Sequence, residues 1–411
     1  MRVLVPNLGS TSLKVQLLDM ADETVIARGR IESIGGERAR LTFGREGEDA
    51  TEEFAPVVDH RAAVEWLLSR LGEIEHGSAD AIDAVGLKTV HGGPRFTDCH
   101  LVTDEVLEAI RDFAAVAPAH NPIYVQAIEI LRDALPGTPM VAVFETGFHR
   151  TIPEHAYRYG APYEWSETYG VRRYGFHGSS HRFVSQRVPE LLGTPAQGLR
   201  LVSCHLGGSS SICAVRDGES VDTSFGFSPQ SGVEQGTRSG DLDPFVVFHV
   251  MERTGATADE VARLLCKQSG LLGISGLTGE LRELEEAAAA GHRRAALAID
   301  VYVHGIRKQI GAFAAVLGGL DVLAFAGGIG ENSWRIRERV CAGLEFLGVE
   351  LDPARNRSSG NGDAVVSVAG SSAAVVVVHT NEELVVARET VRALGGDRKL
   401  LTTAAAKEDS A

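Results

Sequence analysis

The sequence predicts an α/β protein made of two duplicated domains, and three observations predict it. The chain has 411 residues, roughly three times the common domain size of about 100–150 residues. A pattern of strand, glycine- and serine-rich turn and second strand occurs near Val3 and returns near Leu201. Between these landmarks, segments of helical period alternate with short apolar runs of strand length. Composition agrees: 44% apolar and 23% charged residues with 46 glycines describe a globular chain rich in tight turns, and exclude a disordered or collagen-like one. The formal charge of −15, from 40 basic and 55 acidic residues, argues against nucleic acid or an anionic membrane as a partner. Five cysteines (Cys99, Cys204, Cys213, Cys266, Cys341) without a C-x-x-C pair indicate neither a disulfide framework nor a zinc ribbon, and fit a cytoplasmic protein. No basic-then-apolar leader opens the chain, and no apolar run reaches the ~18–20 residues of a membrane span.

The elements follow in order. Val3 to Val5, a polar turn from Asn7 to Ser12, and the alternating segment Leu13 to Leu17 read as a hairpin. Helices are expected from Glu105 to Ala114 and from Pro122 to Ala134. Leu201 to Cys204, the turn His205 to Ser211, Ile212 to Val215, an Asp217-Gly218 turn and Val221 repeat the opening. A spacing this long is not a solenoid repeat; it reads as a duplication, with a functional cleft expected between the halves. Thr257-x-x-Glu260 is a capping box that starts a helix. Two long helices are expected between Glu280 and Leu317, broken at Gly291-His292. A strand from Asp321 to Phe325 meets the glycine turn Gly327 to Asn332 and a polar helix from Trp334, an arrangement suited to a nucleotide. Asp397 to Ala411 is small and polar, and reads as a disordered tail.

Three glycine- and serine-rich turns therefore follow apolar strands: Asn7 to Ser12, His205 to Ser211 and Gly327 to Asn332. Glycine permits close approach and positive φ, so that consecutive N–H groups converge on an anion while hydroxyls add donors. None matches a P-loop or a dinucleotide fingerprint, so the turns indicate phosphate handling of another kind. Cationic and titratable residues flanked by glycine form a second group: Lys88 before His91-Gly92-Gly93, His120-Asn121-Pro122, Tyr174 to Gly178 around His177, and Gly236 to Asp241 around Arg238. Phosphoryl transfer needs fixed positive charge around the migrating group, which suits Arg238 and His177. The plainer reading of Arg238 is an ion pair with Asp241 or Asp243. Glu145 ends the strand Val141 to Phe144, where such sheets present chemistry. Glu382 follows Val375 to Val378, and one such carboxylate suffices for magnesium.

These motifs resemble the acetate kinase family, which groups acetate, propionate and butyrate kinases within the superfamily of sugar kinases, heat-shock chaperones and actin. The residues that carry the resemblance are Asn7 to Lys14, Val90 to Gly93, His120 to Pro122, Tyr174 to His181, Cys204 to Ser211, Gly236 to Pro244, Gly328 to Ser333 and Thr380 to Leu384. The resemblance implies two RNase H-like (actin-like ATPase) domains, 1–148 with 384–397 and 149–383, in a homodimer. It implies reversible in-line transfer of the γ-phosphoryl group of ATP to a short carboxylate, giving an acyl phosphate. By resemblance, Asn7 and Glu382 hold magnesium (manganese being a possible substitute), while Ser10, Ser12 and Lys14 lie near the phosphates. His177 and Arg238 stabilise the transferring group, and Glu145 matches a catalytic acid. His205, Leu206, Gly207, Gly208 and Ser209, with Glu280, Leu281 and Arg282 and with Gly328, Ile329, Gly330, Glu331 and Asn332, surround the nucleotide.

Departures from the family pattern are informative. Lys88 stands where the family has the arginine that clamps the acceptor carboxylate, and lysine cannot grip bidentately. Glu145 replaces an aspartate beside Gly147, Glu280 replaces the aspartate of an Asp-x-Arg, and Gly208 replaces an asparagine. Ala119 replaces a leucine among the positions lining the acyl pocket, with Val90, Phe176 and Pro229, which predicts room for an acid larger than acetate. Two other readings are a kinase on a different small acceptor and a weakened nucleotide-binding regulatory homologue.

Overall fold

The computed structural model describes residues 1–74, 82–114, 116–117, 120–360 and 362–396; the expected tail at 398–411 and Ala119 lie outside them. The chain divides into two compact units, Met1–Gly147 with the chain from Asn381, and Phe148–Thr380.

The first unit opens with β1 (Arg2–Gly9), β2 (Ser12–Asp19), β3 (Thr24–Glu32), β4 (Ala39–Arg45) and β5 (Thr51–Ala55). It continues through α1 (His60–Gly72), β6 (Ala84–Thr89), β7 (Cys99–Leu101), α2 (Asp104–Asp112), α3 (Asn121–Ala134) and β8 (Met140–Phe144). Its eight strands lie in the order β5-β4-β3-β2-β1-β6-β8-β7, with an antiparallel meander on one side and parallel β1, β6 and β8 in the middle. Both faces are covered, as a sheet with a parallel centre requires. Leu4, Leu13, Leu17, Val85 and Ala142 share a core with Leu67 of α1 and Leu131 of α3. Val3, Val5, Leu18, Val141 and Val143 pack against Val386 and Ala387 of the C-terminal helix Glu382–Gly396. The helix starts follow ordinary end chemistry: Thr103 caps α2 through the Val106 N–H, with Asp104 and Glu105 in the first turn.

The second unit repeats this plan. It holds α4 (Glu154–Tyr157), α5 (Tyr163–Tyr169), α6 (Gly178–Leu192), β9 (Arg200–His205), β10 (Ser211–Arg216), β11 (Glu219–Thr223), α7 (Pro244–Thr254), α8 (Ala258–Lys267) and α9 (Gly270–Ser275). After these come α10 (Leu281–Ala289), α11 (Arg293–Leu317), β12 (Val322–Ala326), α12 (Gly327–Asn332), α13 (Trp334–Cys341), α14 (Pro353–Ser358), β13 (Ala364–Val365) and β14 (Ala374–Val377). The sheet order is β11-β10-β9-β12-β14-β13. Antiparallel β9, β10 and β11 correspond to β1, β2 and β3, and parallel β12 and β14 to β6 and β8. Val184 and Val188 of α6 cover one face, while Ile299, Tyr302 and Ile306 of α11 cover the other.

Three expectations change. The opening hairpin pairs Gly9 with Ser12, so Asn7 and Leu8 belong to the strand and only Ser10 and Thr11 form its tip. Of the two long helices only α11 is long, because Glu280 is still extended as the cap of α10 and Gly291 has φ +92°. Gly327 to Asn332 is a six-residue helix rather than an open turn.

His149 is a buried, neutral linchpin of the second unit: Nδ1 meets Ser220 Oγ at 2.8 Å and Nε2 meets the Phe176 carbonyl at 2.9 Å. Burial pushes its pKa down to about 4. The unfolded chain binds a proton near pH 6.5 that the folded chain refuses, so this contribution to stability is complete above pH 6.5 and is lost as pH falls toward 4. The expected result is an apparent Tm that drops between pH 7 and 5, before most carboxylates titrate, with a shallower drop in His149→Gln. Identical pH slopes for the two proteins would contradict it.

Candidate functional site

In the first unit, parallel β6 and β8 end side by side and present Lys88 and Glu145, placed by the register Lys88 with Val143 and Thr89 with Phe144. The Glu145 N–H donates to the Thr89 carbonyl at 2.8 Å, and the side chain is 3% exposed. Lys88 Nζ makes an ion pair with Glu382, the first residue of the C-terminal helix. Burial disfavours the lysine charge, but Glu145 and Glu382 outweigh it and hold the ammonium well above the ordinary lysine range. Tyr124 lies within reach of the same charges, and burial pushes its phenol up to about 12. Around this centre His91 stacks on Phe113 at 4.7 Å, and Asn121 Nδ2 donates to the His91 and Ile110 carbonyls. The buried atoms Thr89 Oγ1, Thr146 Oγ1 and Asn121 Oδ1 have no protein hydrogen-bond partner among the described residues, the signature of a site that takes water or a polar ligand.

Asn7 is half-buried on β1, Ser12 half-buried, and Ser10 and Lys14 exposed. Lys14 shares the polar face of the sheet with Gln16, Arg28 and Arg30, around a hollow of about 350 Å³. Asn7 offers an amide oxygen and Glu382 a carboxylate, the hard donors magnesium takes alongside phosphate oxygens and water. Lys88 already supplies Glu382 with a counter-charge. The cluster Asp98, Cys99 and Glu389 is a different matter, because Arg392 donates to all three.

The second unit carries a hollow of about 480 Å³ lined by Gly207, Gly208, Glu280, Leu281, Arg282, Gly328, Ile329 and Asn332, together with Gly279, Glu285, Ser333, Trp334 and Arg335. A Cβ on Gly208 or Gly328 would meet no protein atom within 4 Å, so these glycines keep space open. The expected convergence of N–H groups on an anion does not occur in α12. The Gly327 N–H donates to Glu331 Oε1, and the Ile329 and Gly330 N–H groups donate to the Leu206 carbonyl. Leu206, Gly330 and Glu331 are not among the residues that line the hollow; they brace α12 from behind. Glu331 Oε1 also accepts from the Thr380 N–H and hydroxyl. Beneath lies Arg337, 1% exposed, whose guanidinium donates to the Gly330 and Glu331 carbonyls, to Asn356 and to Ser359 Oγ. Burial pulls its pKa down to about 10.

Arg238 is half-buried, and Nη1 reaches Ser209 Oγ at 3.3 Å, the Pro229 carbonyl at 3.1 Å and Gln235 Oε1 at 3.3 Å. All three acceptors are neutral, and among the described residues no carboxylate pairs with it. The ion pair with Asp241 or Asp243 therefore does not form: Asp241 accepts from the Gly232 N–H and Asp243 caps α7. Burial lowers the Arg238 pKa, yet an arginine stays charged. Ser209 ties this cation to the loop whose Gly207 and Gly208 line the hollow, and Ser209 Oγ also donates to Gln235 Oε1 at 2.8 Å. His177 occupies the left-handed region at φ +56° where α6 begins, its ring 4.2 Å from that of His205 and 5.1 Å from that of Phe225. His177 Nδ1 meets Ser211 Oγ at 2.8 Å, and His205 Nδ1 meets Ser180 Oγ at 2.7 Å. Phe176 and Pro229 are buried in this unit, and Val90 is buried in the first.

Sequence reasoning missed Trp334, Arg335 and Glu285 on the hollow, Gln235 beside Arg238, and the supporting Arg337. Trp334 directly follows the glycine segment and was within reach of the argument. Arg337 gave no signal, since an arginine in a polar helix reads as solvated.

These features define a class first: a phosphotransferase built on the duplicated actin-like ATPase fold. The chain superposes on the crystal structure of Porphyromonas gingivalis acetate kinase with a TM-score of 0.86 at 41% identity, covering 96% of this chain and 99% of that one. It superposes on that of a propionate kinase from Francisella tularensis with a TM-score of 0.88 at 35% identity, covering 95% and 99%. The chain belongs to the acetokinase family, whose pattern matches residues 2–388. It is 48% identical over 394 residues to the acetate kinase of Geobacillus sp. (strain WCH70), covering 95% of this chain and 98% of that protein.

The buried fork of Arg337 makes a direct prediction. Arg337→Lys cannot satisfy four separate groups, so α12 should loosen and KM for ATP rise about tenfold, near 1.4 kcal/mol, with kcat less affected. Steady-state kinetics check this; an unchanged KM would show that α12 holds its place without the fork.

Proposed function

We propose that this protein transfers the γ-phosphoryl group of ATP to the carboxylate of a short-chain acid, giving an acyl phosphate and ADP, reversibly and by in-line displacement. A carboxylate oxygen forms the new bond to phosphorus as the bridging β–γ oxygen leaves with its electron pair. The nucleophile carries no proton at neutral pH, so the step needs no general base. It needs placement and positive charge. The observation that carries the reading is Arg238, a half-buried cation with only neutral acceptors among the described residues, tied through Ser209 to the rim of an open hollow.

In this reading the hollow holds the adenosine, with Arg282 and Trp334 on its wall, and Ser10, Ser12, Lys14, His205 and Ser209 attend the phosphates. Arg238 and His177 stabilise the transferring group. Lys88 receives the acceptor carboxylate while Glu145 and Glu382 hold its charge in place. Magnesium, held by Asn7 and Glu382, would neutralise phosphate charge. Val90, Phe176 and Pro229 surround the acyl chain, and an alanine at position 119 in place of the family's leucine favours an acid larger than acetate. We also propose a homodimer. The α7 helix buries none of its residues and exposes Phe245 at 75% and Phe248 at 62%, a surface that a second copy would cover. A cytoplasmic location is supported by five free cysteines, and no helix among the described residues is long and apolar enough to cross a membrane.

Trapping acyl phosphate as the hydroxamate, across acetate, propionate, butyrate and branched acids with ATP and magnesium, tests the substrate class. We expect turnover with several acids and a kcat/KM maximum above acetate in size. A maximum at acetate would refute the enlarged pocket, and no acyl phosphate from any acid would favour the regulatory alternative. Arg238→Ala should lower kcat by about 10³-fold or more while KM for ATP changes little. The reverse proportion would make Arg238 a binding residue only.

A further inference from the structure

Beneath His177 runs a chain of hydrogen bonds that the transfer step does not itself use. His177 Nδ1 meets Ser211 Oγ at 2.8 Å, the same oxygen meets His181 Nε2 at 2.8 Å, and His181 Nδ1 meets Ser203 Oγ at 2.9 Å. Ser203, Ser211 and His181 are fully buried. Each serine hydroxyl owns one proton and each neutral imidazole one N–H, so the choices of proton position are coupled. Burial drives the His181 pKa well below its ordinary value, which keeps that ring neutral.

Three arrangements satisfy all three bonds. In one, the Ser203 hydroxyl donates to His181 Nδ1, the His181 Nε2–H donates to Ser211 Oγ, and the Ser211 hydroxyl donates to His177 Nδ1. In the second every donor is reversed, and the Ser203 proton must point elsewhere; in the third both imidazoles donate to Ser211 Oγ, and the Ser211 proton must point elsewhere. Beyond these bonds neither serine oxygen has a hydrogen-bond partner among the described residues, so the second and third arrangements each strand a buried donor, at a cost of about 1–3 kcal/mol. The first arrangement leaves His177 Nδ1 without a proton and places the ring proton on Nε2.

We infer that Ser211 and His181 are positioning residues that set the tautomer of His177, so that its Nε2 carries the N–H offered to the oxygens of the transferring phosphoryl group. This deepens the reading that His177 acts on that group and rests on it. Phosphoryl oxygens only accept hydrogen bonds, so a bare Nε2 would oppose the transition state. The chain makes the useful tautomer the resting one, and the small, buried Ser203 at its far end sets the direction.

Long-range ¹H–¹⁵N correlation spectra of the ¹⁵N-histidine protein read the tautomer directly, with His177 assigned by the loss of its signals in His177→Gln. The expected result is the Nε2–H form at both His177 and His181. In Ser211→Ala the His177 signals should move toward a mixture of tautomers, and kcat should fall about 10- to 100-fold with KM for ATP within about threefold. Ser211→Thr, which keeps a hydroxyl, should restore both. An Nδ1–H or doubly protonated His177 in the unsubstituted protein overturns the inference, as does Ser211→Ala with unchanged kcat; the spectra decide the matter even if that variant folds poorly. Unchanged kcat in His177→Gln would instead remove the reading of His177 on which the inference rests, whatever its tautomer.

Discussion

A positive charge without a counter-charge among the described residues organises the second unit. Arg238 is held by a serine hydroxyl, a carbonyl and an amide oxygen, groups that fix its direction without cancelling its charge. Had Asp241 or Asp243 taken the guanidinium, the transferring phosphoryl group would have to compete with a carboxylate for it. Instead those acids are spent on the Gly232 N–H and on the cap of α7. The same logic extends to the residues that hold Arg238. Gln235 is locked by Ser209 and by the Pro229 carbonyl, and the Gly236 N–H donates to the Gly208 carbonyl. The cation and the rim of the hollow are one hydrogen-bonded structure.

The first unit solves the opposite problem. Lys88 sits among acids, and its charge is held by Glu145 and Glu382 against the cost of burial. In the proposed reading the same ammonium also meets the acceptor carboxylate, whose approach the two acids oppose by their own charge. The arginine of the family pattern would grip by geometry; this lysine works as a point charge. On that reading the surrounding acids belong to the acceptor site, which the individual motifs do not suggest.

The duplication and the hairpins were legible because they rest on local periodicity and turn chemistry. The capping box at Thr257 is present as written, with both reciprocal bonds. The glycine turns were legible in place but not in mechanism. Gly327 has φ +75° as expected, yet the N–H groups of its segment are consumed by Glu331 and Leu206, and the useful property of Gly208 and Gly328 is the space they leave. Which donor meets which acceptor depends on how the segments pack, as where the Ile329 N–H finds the Leu206 carbonyl, and no spacing rule encodes that. Arg337 and the Ser203–His181–Ser211 chain were illegible for the same reason. Burial gives them their meaning, and burial is a property of the packed unit.

The most direct test of the account is whether the Arg238 charge is reserved for the transition state. Calorimetry should compare the Kd of ADP alone with that of ADP plus aluminium fluoride and the preferred acid, which together mimic the planar phosphoryl group, in the unsubstituted protein and in Arg238→Ala. The account predicts that the variant loses about 100-fold or more in affinity for the mimic while binding ADP alone nearly as before. Equal weakening of both would contradict it, and would make Arg238 a part of the nucleotide site with no special claim on the transferring group.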